Sequence, residues 1–134
     1  MVKMRGEYLG QKRMQLTHEP SQTQIVTDAP VDNHGLGQSF SPTDLLSVSL
    51  GTCMCTVMGI YADQNGINLT GMRFEAEKEM SANPRKVKRI GLQIWMPSDL
   101  SDMVLHKLKE IALTCPVKRS LHPDIEIDMS WKRL

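Results

Sequence analysis

Three cysteines, Cys53, Cys55 and Cys115, are the residues whose type and spacing could do chemistry. A thiolate is a nucleophile, a metal ligand and a redox-active group, whereas a buried thiol behaves as a small apolar side chain. Cys53 and Cys55 are two positions apart, which is about 200° around a helix axis. They cannot pair with each other unless the helix unwinds. Cys53 and Cys115 can approach if their helices face each other, and three buried structural thiols are the alternative.

Metal binding and hydrolysis are the other chemistries open to these cysteines. A Cys-x-Cys pair on a helix points its sulfurs apart, and no histidine lies at ligand spacing beside it, so the pattern disfavours a metal site. The histidines are scattered, as expected of surface or capping residues; they are His18, His34, His106 and His122. A nucleophilic Cys–His pair, Cys53 with His122, stays open as the basis of a thiol-dependent hydrolase.

An uncharged segment of eighteen residues, 45–62, surrounds Cys53. Ser41 is a natural N-cap, Pro42 suits the first helical position, and Asp44 suits the positive end of the helix dipole. Asn65 and Gly66 predict the end of the same helix. The pattern therefore predicts one long helix that carries both Cys53 and Cys55.

The length of this helix meets the lower limit for a membrane span. Its serines, threonines and glycines dilute the hydrophobicity, however, and the chain has no second such segment. We therefore expect a helix buried on nearly every side. A chain of 134 residues has difficulty surrounding it, so part of its wall is expected to come from a second subunit.

The remaining elements follow from alternation and turn residues. Short strands are predicted at 2–9, 12–17 and 24–27, with a hairpin turn at Gly10-Gln11 and a loop over 28–40. A strand pair follows the helix; its apolar positions are Met72, Phe74 and Ala76 on one strand and Ile90, Leu92, Ile94 and Met96 on the other.

A second helix is predicted after a cap at residues 97–99, and its apolar stripe ends at Cys115, beside Pro116. The stripe consists of Leu100, Met103, Val104, Leu108, Ile111 and Cys115. Residues 125–131 alternate and predict a half-buried antiparallel strand. The order βββ-α-ββ-α-β indicates an α+β fold, mainly antiparallel sheet packed on two core helices, in a single domain over residues 1–134.

Composition excludes several classes of function. Sixteen Lys and Arg balance fifteen Asp and Glu, and a net charge of +1 argues against a nucleic-acid or membrane-surface binder. Aromatic residues are only 4% of the chain against ten methionines, so we expect a Met-filled aliphatic core. The N-terminus has no apolar signal segment, so the cysteines are expected to be in the reducing cytoplasm.

Two segments around the cysteines resemble the signature motifs of the OsmC/Ohr family, the osmotically induced and organic-hydroperoxide-resistance proteins. The first is Ser-Pro-Thr-Asp-Leu-Leu at 41–46 with Leu-Gly-Thr-Cys at 50–53, and the second is Cys-Pro-Val-Lys-Arg-Ser-Leu at 115–121. The element order is similar from end to end, most closely to the general OsmC-like branch.

This resemblance implies an intertwined homodimer that acts as a thiol peroxidase in the stress response. Cys53 takes the peroxidatic position and Cys115 the resolving position. A peroxide would oxidise Cys53 to a sulfenic acid, Cys115 would condense with it, and an external dithiol would reduce the disulfide. Cys55 is then a structural thiol, and no metal or other cofactor is required.

The resemblance also implies an arginine that stabilises the thiolate, for which Arg13 is the best match and Arg5 the alternative. The family's carboxylate partner for that arginine follows the proline of the first motif, but Thr43 stands there and Asp44 comes one residue later. This departure puts efficient turnover of organic hydroperoxides in doubt. The alternative function is therefore a non-enzymatic OsmC-fold dimer that senses redox state or binds a small ligand.

Overall fold

The computed structural model describes every residue from 1 to 134. The chain divides into two compact units, Met1–Leu46 and Ser47–Leu134, and each contains a three-stranded sheet. The elements follow the predicted order, with one short helix added before the last strand, so the fold is α+β as expected. The interpretation of residues 1–134 as a single domain remains a prediction.

The first unit is an antiparallel sheet of β1 (Met4–Gly10), β2 (Arg13–His18) and β3 (Thr23–Val26), in that order. Gln11 and Lys12 form the β1–β2 turn with φ angles of 55° and 63°. Two successive left-handed residues are typical of the tight turns whose twist matches a hairpin. The predicted turn at Gly10-Gln11 is thus one residue too early. The loop predicted over 28–40 is confirmed, and it contains a 3₁₀ turn at Val31–Asn33.

Helix α1 (Pro42–Gln64) begins where the sequence predicts. The backbone N–H of Ser41 donates to Asp44 Oδ2 at 2.8 Å, and the N–H of Asp44 donates to Ser41 Oγ at 3.0 Å. This reciprocal pair satisfies backbone donors that the first turn leaves without partners. The predicted Ser41 cap with Pro42 at the first helical position is confirmed.

The end of α1 also follows the prediction. Gly66 has a left-handed φ of 64°, and the N–H of Ile67 donates to the Ala62 carbonyl at 2.9 Å. Such a bond across a left-handed glycine closes the helix C-terminus.

The sheet of the second unit consists of β4 (Arg73–Ala82), β5 (Arg85–Met96) and β6 (Glu126–Arg133). Strands β4 and β5 are antiparallel, but β6 runs parallel to β5, with Ile127 opposite Ile90. The predicted antiparallel pairing of the last strand is therefore wrong. The chain leaves β5 at one end and passes through two helices, and such a crossover returns it to the starting end of the sheet.

Helix α2 (Asp102–Ala112) begins later than predicted, because Ser101 and not residues 97–99 provides its cap. Ser101 Oγ accepts the N–H of Val104 at 3.2 Å. The Arg133 guanidinium donates to the carbonyls of Ser98 and Leu100, at 3.3 and 2.6 Å, and holds this turn outside the helix.

Cys115 does not lie on the second helix, contrary to the prediction. It is the N-cap of a separate short helix, α3 (Pro116–Ser120), with φ −60° and ψ 135°. Proline excludes the helical conformation for the residue before it, so Pro116 separates Cys115 from α2. Met103, also predicted on the apolar stripe, is 80% exposed in this chain.

The core of the second unit lies between α1, α2 and the sheet. Its fully buried large side chains are Leu50, Met54, Met58, Ile90, Ile94, Met96 and Leu108. Burying each contributes about 1.5–3 kcal/mol relative to exposure. Three of the seven are methionines, so the predicted Met-filled aliphatic core is confirmed.

The other side of α1 is not covered within one chain. The exposed residues on this side include Thr52, Thr56 and Ile60. In the most apolar stretch of 18 residues in α1, only 33% is buried. By length and composition alone this helix could cross a membrane. Because Leu50, Met54 and Met58 pack in the core, we interpret α1 as a core helix that exposes its second face.

Candidate redox site

Cys53 and Cys115 meet inside the second unit, although separate elements carry them. Cys53 lies between the core residues Leu50 and Met54 on α1 and is partly exposed. Cys115 caps α3 and is 0% exposed. The Cys53 side chain lies close enough to the Cys115 thiol to raise its pKa. The predicted approach of these two cysteines is therefore realised, and both are free thiols.

Opposing influences act on the Cys115 thiol. Burial, the largest of them, raises its pKa, and the neighbouring Cys53 side chain raises it further. The backbone N–H groups of Lys118 and Val117 act in the other direction, and the Lys118 nitrogen lies 3.3 Å from Cys115 Sγ. Since burial predominates, Cys115 is a protonated thiol at neutral pH, held next to Cys53.

Cys55 has a different environment. Burial raises the pKa of its thiol to about 11. It lines an open hollow with neighbours from α1 and from the start of β4; they are Thr52, Thr56, Met72, Arg73 and Phe74. A thiol protonated to such high pH is a poor nucleophile. This agrees with the expectation of a structural thiol.

Arg13, the predicted cation, lies at the start of β2 in the first unit. Its guanidinium is 3.6 Å from Asp28 Oδ2 and also donates a hydrogen bond to Gln38 Oε1. Asp28 is 1% exposed and accepts the backbone N–H of Gln38 at 3.0 Å. That hydrogen bond, together with the charge of Arg13, holds the Asp28 pKa below its usual value against the opposing effect of burial.

Asp28 and Gln38 are partners of Arg13 that sequence reasoning missed. Both lie in the loop after β3, where nothing in their local pattern distinguishes them from solvated loop residues. The alternative cation, Arg5, pairs with Glu19 at the surface of the same unit, where its side chain is 63% exposed. Of the two arginines, Arg13 is therefore the one whose position is fixed by a buried carboxylate.

The carboxylate at the first motif is part of the helix cap. Asp44 Oδ2 accepts the N–H of Ser41, and Thr43 Oγ1 lies 3.2 Å from Ser41 Oγ. His122, the partner considered for a hydrolase, is 65% exposed, and its Nδ1 accepts the N–H of Asp124 at 3.1 Å. The structure thus describes His122 as a turn residue.

The α+β fold brings two reduced cysteines from separate helical elements close together. Residues 35–130 match the family model described as OsmC-like protein. The chain therefore belongs to the OsmC-like family.

Solved structures show the same fold over nearly the whole chain. A Psychrobacter arcticus protein, proposed to be an osmotic-stress-induced and detoxification-response protein, is 41% identical with a TM-score of 0.92, covering 98% of this chain and 96% of its own. The OsmC-like protein of Mycoplasma pneumoniae is 17% identical with a TM-score of 0.83, covering 100% and 97%.

A more distant structure carries a functional name. The organic hydroperoxide resistance protein OsmC of Legionella pneumophila is 16% identical with a TM-score of 0.73, covering 98% of this chain and 96% of its own. At that identity the likeness concerns the fold alone. No curated protein is significantly similar in sequence.

Proposed function

We propose that this protein is a thiol-dependent peroxidase that reduces organic hydroperoxides, with hydrogen peroxide as a second candidate substrate. The observation that carries the proposal is the closeness of Cys53 and Cys115 inside the second unit. Two free thiols near each other, one partly exposed and one buried, can lose two electrons and form a disulfide.

In the first step the Cys53 thiolate attacks the outer oxygen of the peroxide. The O–O bond breaks, the alkoxide leaves and takes up a proton from solvent to become the alcohol, and the attacked OH group stays on Cys53 as a sulfenic acid. A cation beside the sulfur would stabilise the attacking thiolate. We assign this role to Arg13, which Asp28 and Gln38 hold in a defined position within the first unit.

In the second step the Cys115 sulfur attacks the Cys53 sulfenic acid. The S–O bond breaks, water leaves, and a Cys53–Cys115 disulfide forms. An external dithiol then reduces the disulfide in two exchange steps and is itself oxidised. Cys115 is suited to this step, since it lies near Cys53.

Membership of the OsmC-like family supports this function, and so does the name of the Legionella pneumophila structure with the same fold. We further propose that the protein works as a homodimer in the cytoplasm. The uncovered face of α1 and the exposed apolar side chains of the first unit support the dimer; among the latter are Met4, Tyr8 and Phe40.

Steady-state consumption of cumene hydroperoxide and of hydrogen peroxide, with dithiothreitol as reductant, tests the proposal. We expect many turnovers per protein chain with cumene hydroperoxide. A single equivalent of peroxide consumed per chain, followed by a stable disulfide, would favour the redox-sensing alternative.

A further inference from the structure

The two sulfurs of the proposed disulfide are not equivalent. Cys115 is 0% exposed in the connection between α2 and α3, whereas Cys53 is partly exposed on α1. Thiol–disulfide exchange needs an attacking sulfur in line with the bond that breaks, so access to each sulfur decides which one is attacked. Only Cys53 offers such access in this chain.

The surroundings of Cys115 suit a leaving group. The N–H of Lys118 donates to Cys115 Sγ at 3.3 Å, and the N–H of Val117 also favours its charged form. These donors are backbone groups of the first turn of α3, so they remain in place whichever state the sulfur is in. They would offset part of the cost of releasing a thiolate in a buried site.

We propose that the external dithiol attacks Cys53 and that Cys115 is the leaving thiolate, so that the mixed disulfide with the reductant forms on Cys53. This inference rests on the proposed function, because it concerns reduction of the same Cys53–Cys115 disulfide. The peroxide and the reductant then both react at the Cys53 sulfur.

A thiolate of the dithiol bonds to Cys53 Sγ, the Sγ–Sγ bond breaks, and its electron pair goes to Cys115 Sγ, which then takes up a proton. The second thiol of the reductant, as thiolate, attacks its partner sulfur in the mixed disulfide. This step releases the Cys53 thiolate and the cyclic disulfide of the reductant, for two electrons transferred in all.

One consequence is that peroxide and reductant use the same sulfur in turn. Neither can react while the other occupies Cys53. A reductant that instead attacked Cys115 would need the packing around that buried sulfur to open, and its rate would not depend on access to Cys53.

The direction can be tested on the disulfide itself. The protein is oxidised with one equivalent of cumene hydroperoxide and, in parallel, with diamide, which forms the disulfide without peroxide chemistry. Excess 2-mercaptoethanol is then added briefly, the reaction is quenched in acid, the protein is alkylated under denaturing conditions, and its peptides are mapped by mass spectrometry. We expect the mercaptoethanol adduct on Cys53 and alkylated Cys115, with a preference of about tenfold or more.

Two outcomes would overturn the inference: an adduct mainly on Cys115, or equal amounts on both cysteines. If diamide forms the disulfide and peroxide does not, the proposed peroxidase fails while the direction of exchange can still be measured. If neither oxidant forms a Cys53–Cys115 disulfide, both proposals are wrong.

A second measurement does not depend on trapping. Single-thiol proteins are prepared with a thionitrobenzoate disulfide on Cys53 (Cys55→Ser with Cys115→Ser) or on Cys115 (Cys53→Ser with Cys55→Ser). Thionitrobenzoate is the better leaving group in both, so dithiothreitol attacks the protein sulfur. We expect coloured product about tenfold faster from the Cys53 adduct. Equal rates in the folded proteins would contradict the proposed access, and equal rates in denaturant serve as the control.

Discussion

The guanidinium of Arg13 lies 3.6 Å from the carboxylate of Asp28, a side chain that is 1% exposed. The resemblance of the first motif to the OsmC/Ohr signature directs attention to residues 43 and 44 as the place of the carboxylate. Asp28 instead comes from the loop after β3, and it is also bonded to the backbone N–H of Gln38. The first unit thus contains a buried anion that orients the arginine. The absence of a carboxylate at Thr43 therefore does not leave Arg13 without one.

Arg13 and Asp28 are predicted to act together on the reactivity of Cys53, with Asp28 acting through Arg13. Arg13→Ala should slow alkylation of Cys53 at pH 7 by roughly tenfold, because the thiolate loses its cation. Asp28→Asn should produce a smaller loss, and no further loss when added to Arg13→Ala. Rates are measured against pH by peptide mapping after iodoacetamide pulses.

Arg5→Ala is the matched control, since Arg5 pairs with Glu19 at the surface, and it should leave the profile unchanged. An additional full loss from Asp28→Asn in the Arg13→Ala protein would mean that Asp28 acts on folding and not through the arginine. Arg13→Lys should restore part of the rate if charge alone is needed.

The three cysteines are predicted to have separate roles. Cys53→Ser should abolish peroxide consumption. Cys115→Ser should permit the first oxidation but stop turnover, because the sulfenic acid persists or over-oxidises. Cys55→Ser should keep nearly full activity, with a packing cost of about 1 kcal/mol at most. Peroxide consumption and disulfide mapping decide the matter. A Cys55–Cys115 disulfide, or activity without Cys53, would exchange the roles of the two helical cysteines.

Cys55 should resist alkylation at neutral pH. With a pKa raised to about 11, its thiolate rate should climb tenfold per pH unit and level off only near that value. At pH 7 only about one Cys55 in ten thousand is ionised. Labelling with iodoacetamide between pH 7 and 10.5, followed by peptide mapping, checks this. Rapid labelling at pH 7 in the folded protein would contradict the prediction, whereas in denaturant all three cysteines should label.

The protein is predicted to be an obligate dimer in solution. One chain leaves one face of α1 uncovered, with Ile60 54% exposed, and all of β3 in the first unit is exposed. Exposed apolar surface of this extent marks an interface in soluble proteins. Light scattering at micromolar concentration should give twice the chain mass of 15.1 kDa. A monomer mass would refute the dimer.

The two glycines in the middle of α1 are predicted to respond oppositely to alanine. A Cβ at Gly51 would lie 2.4 Å from ring atoms of Phe74, so Gly51→Ala should destabilise by about 1–3 kcal/mol through overpacking. A Cβ at Gly59 meets no atom within 4 Å of this chain, so Gly59→Ala should stabilise by up to about 1 kcal/mol. Urea unfolding of both variants measures this. A loss at Gly59 with the dimer intact would place a partner chain against that position.

The sequence by itself determined the elements whose signals are local. The Ser41 cap, the proline after it and the glycine near the end of α1 act over three to five residues, and α1 has the predicted limits. Alternation likewise placed Ile90 and Ile94 in the core, since side-chain direction along a strand has a period of two. The resemblance carried by the two cysteine motifs also led to the expectation that Cys53 and Cys115 lie near each other, as they do.

Tertiary structure alone decided the features that depend on contacts distant in sequence. The parallel alignment of β6 follows from the path of the chain through α2 and α3, which no local pattern in β6 records. The separation of Cys115 from α2 was signalled by Pro116, but its burial comes from the packing of the whole second unit. Asp28 meets Arg13 only because β2 and the loop after β3 fold together. Neither segment alone contains both partners, so its local sequence cannot predict the contact.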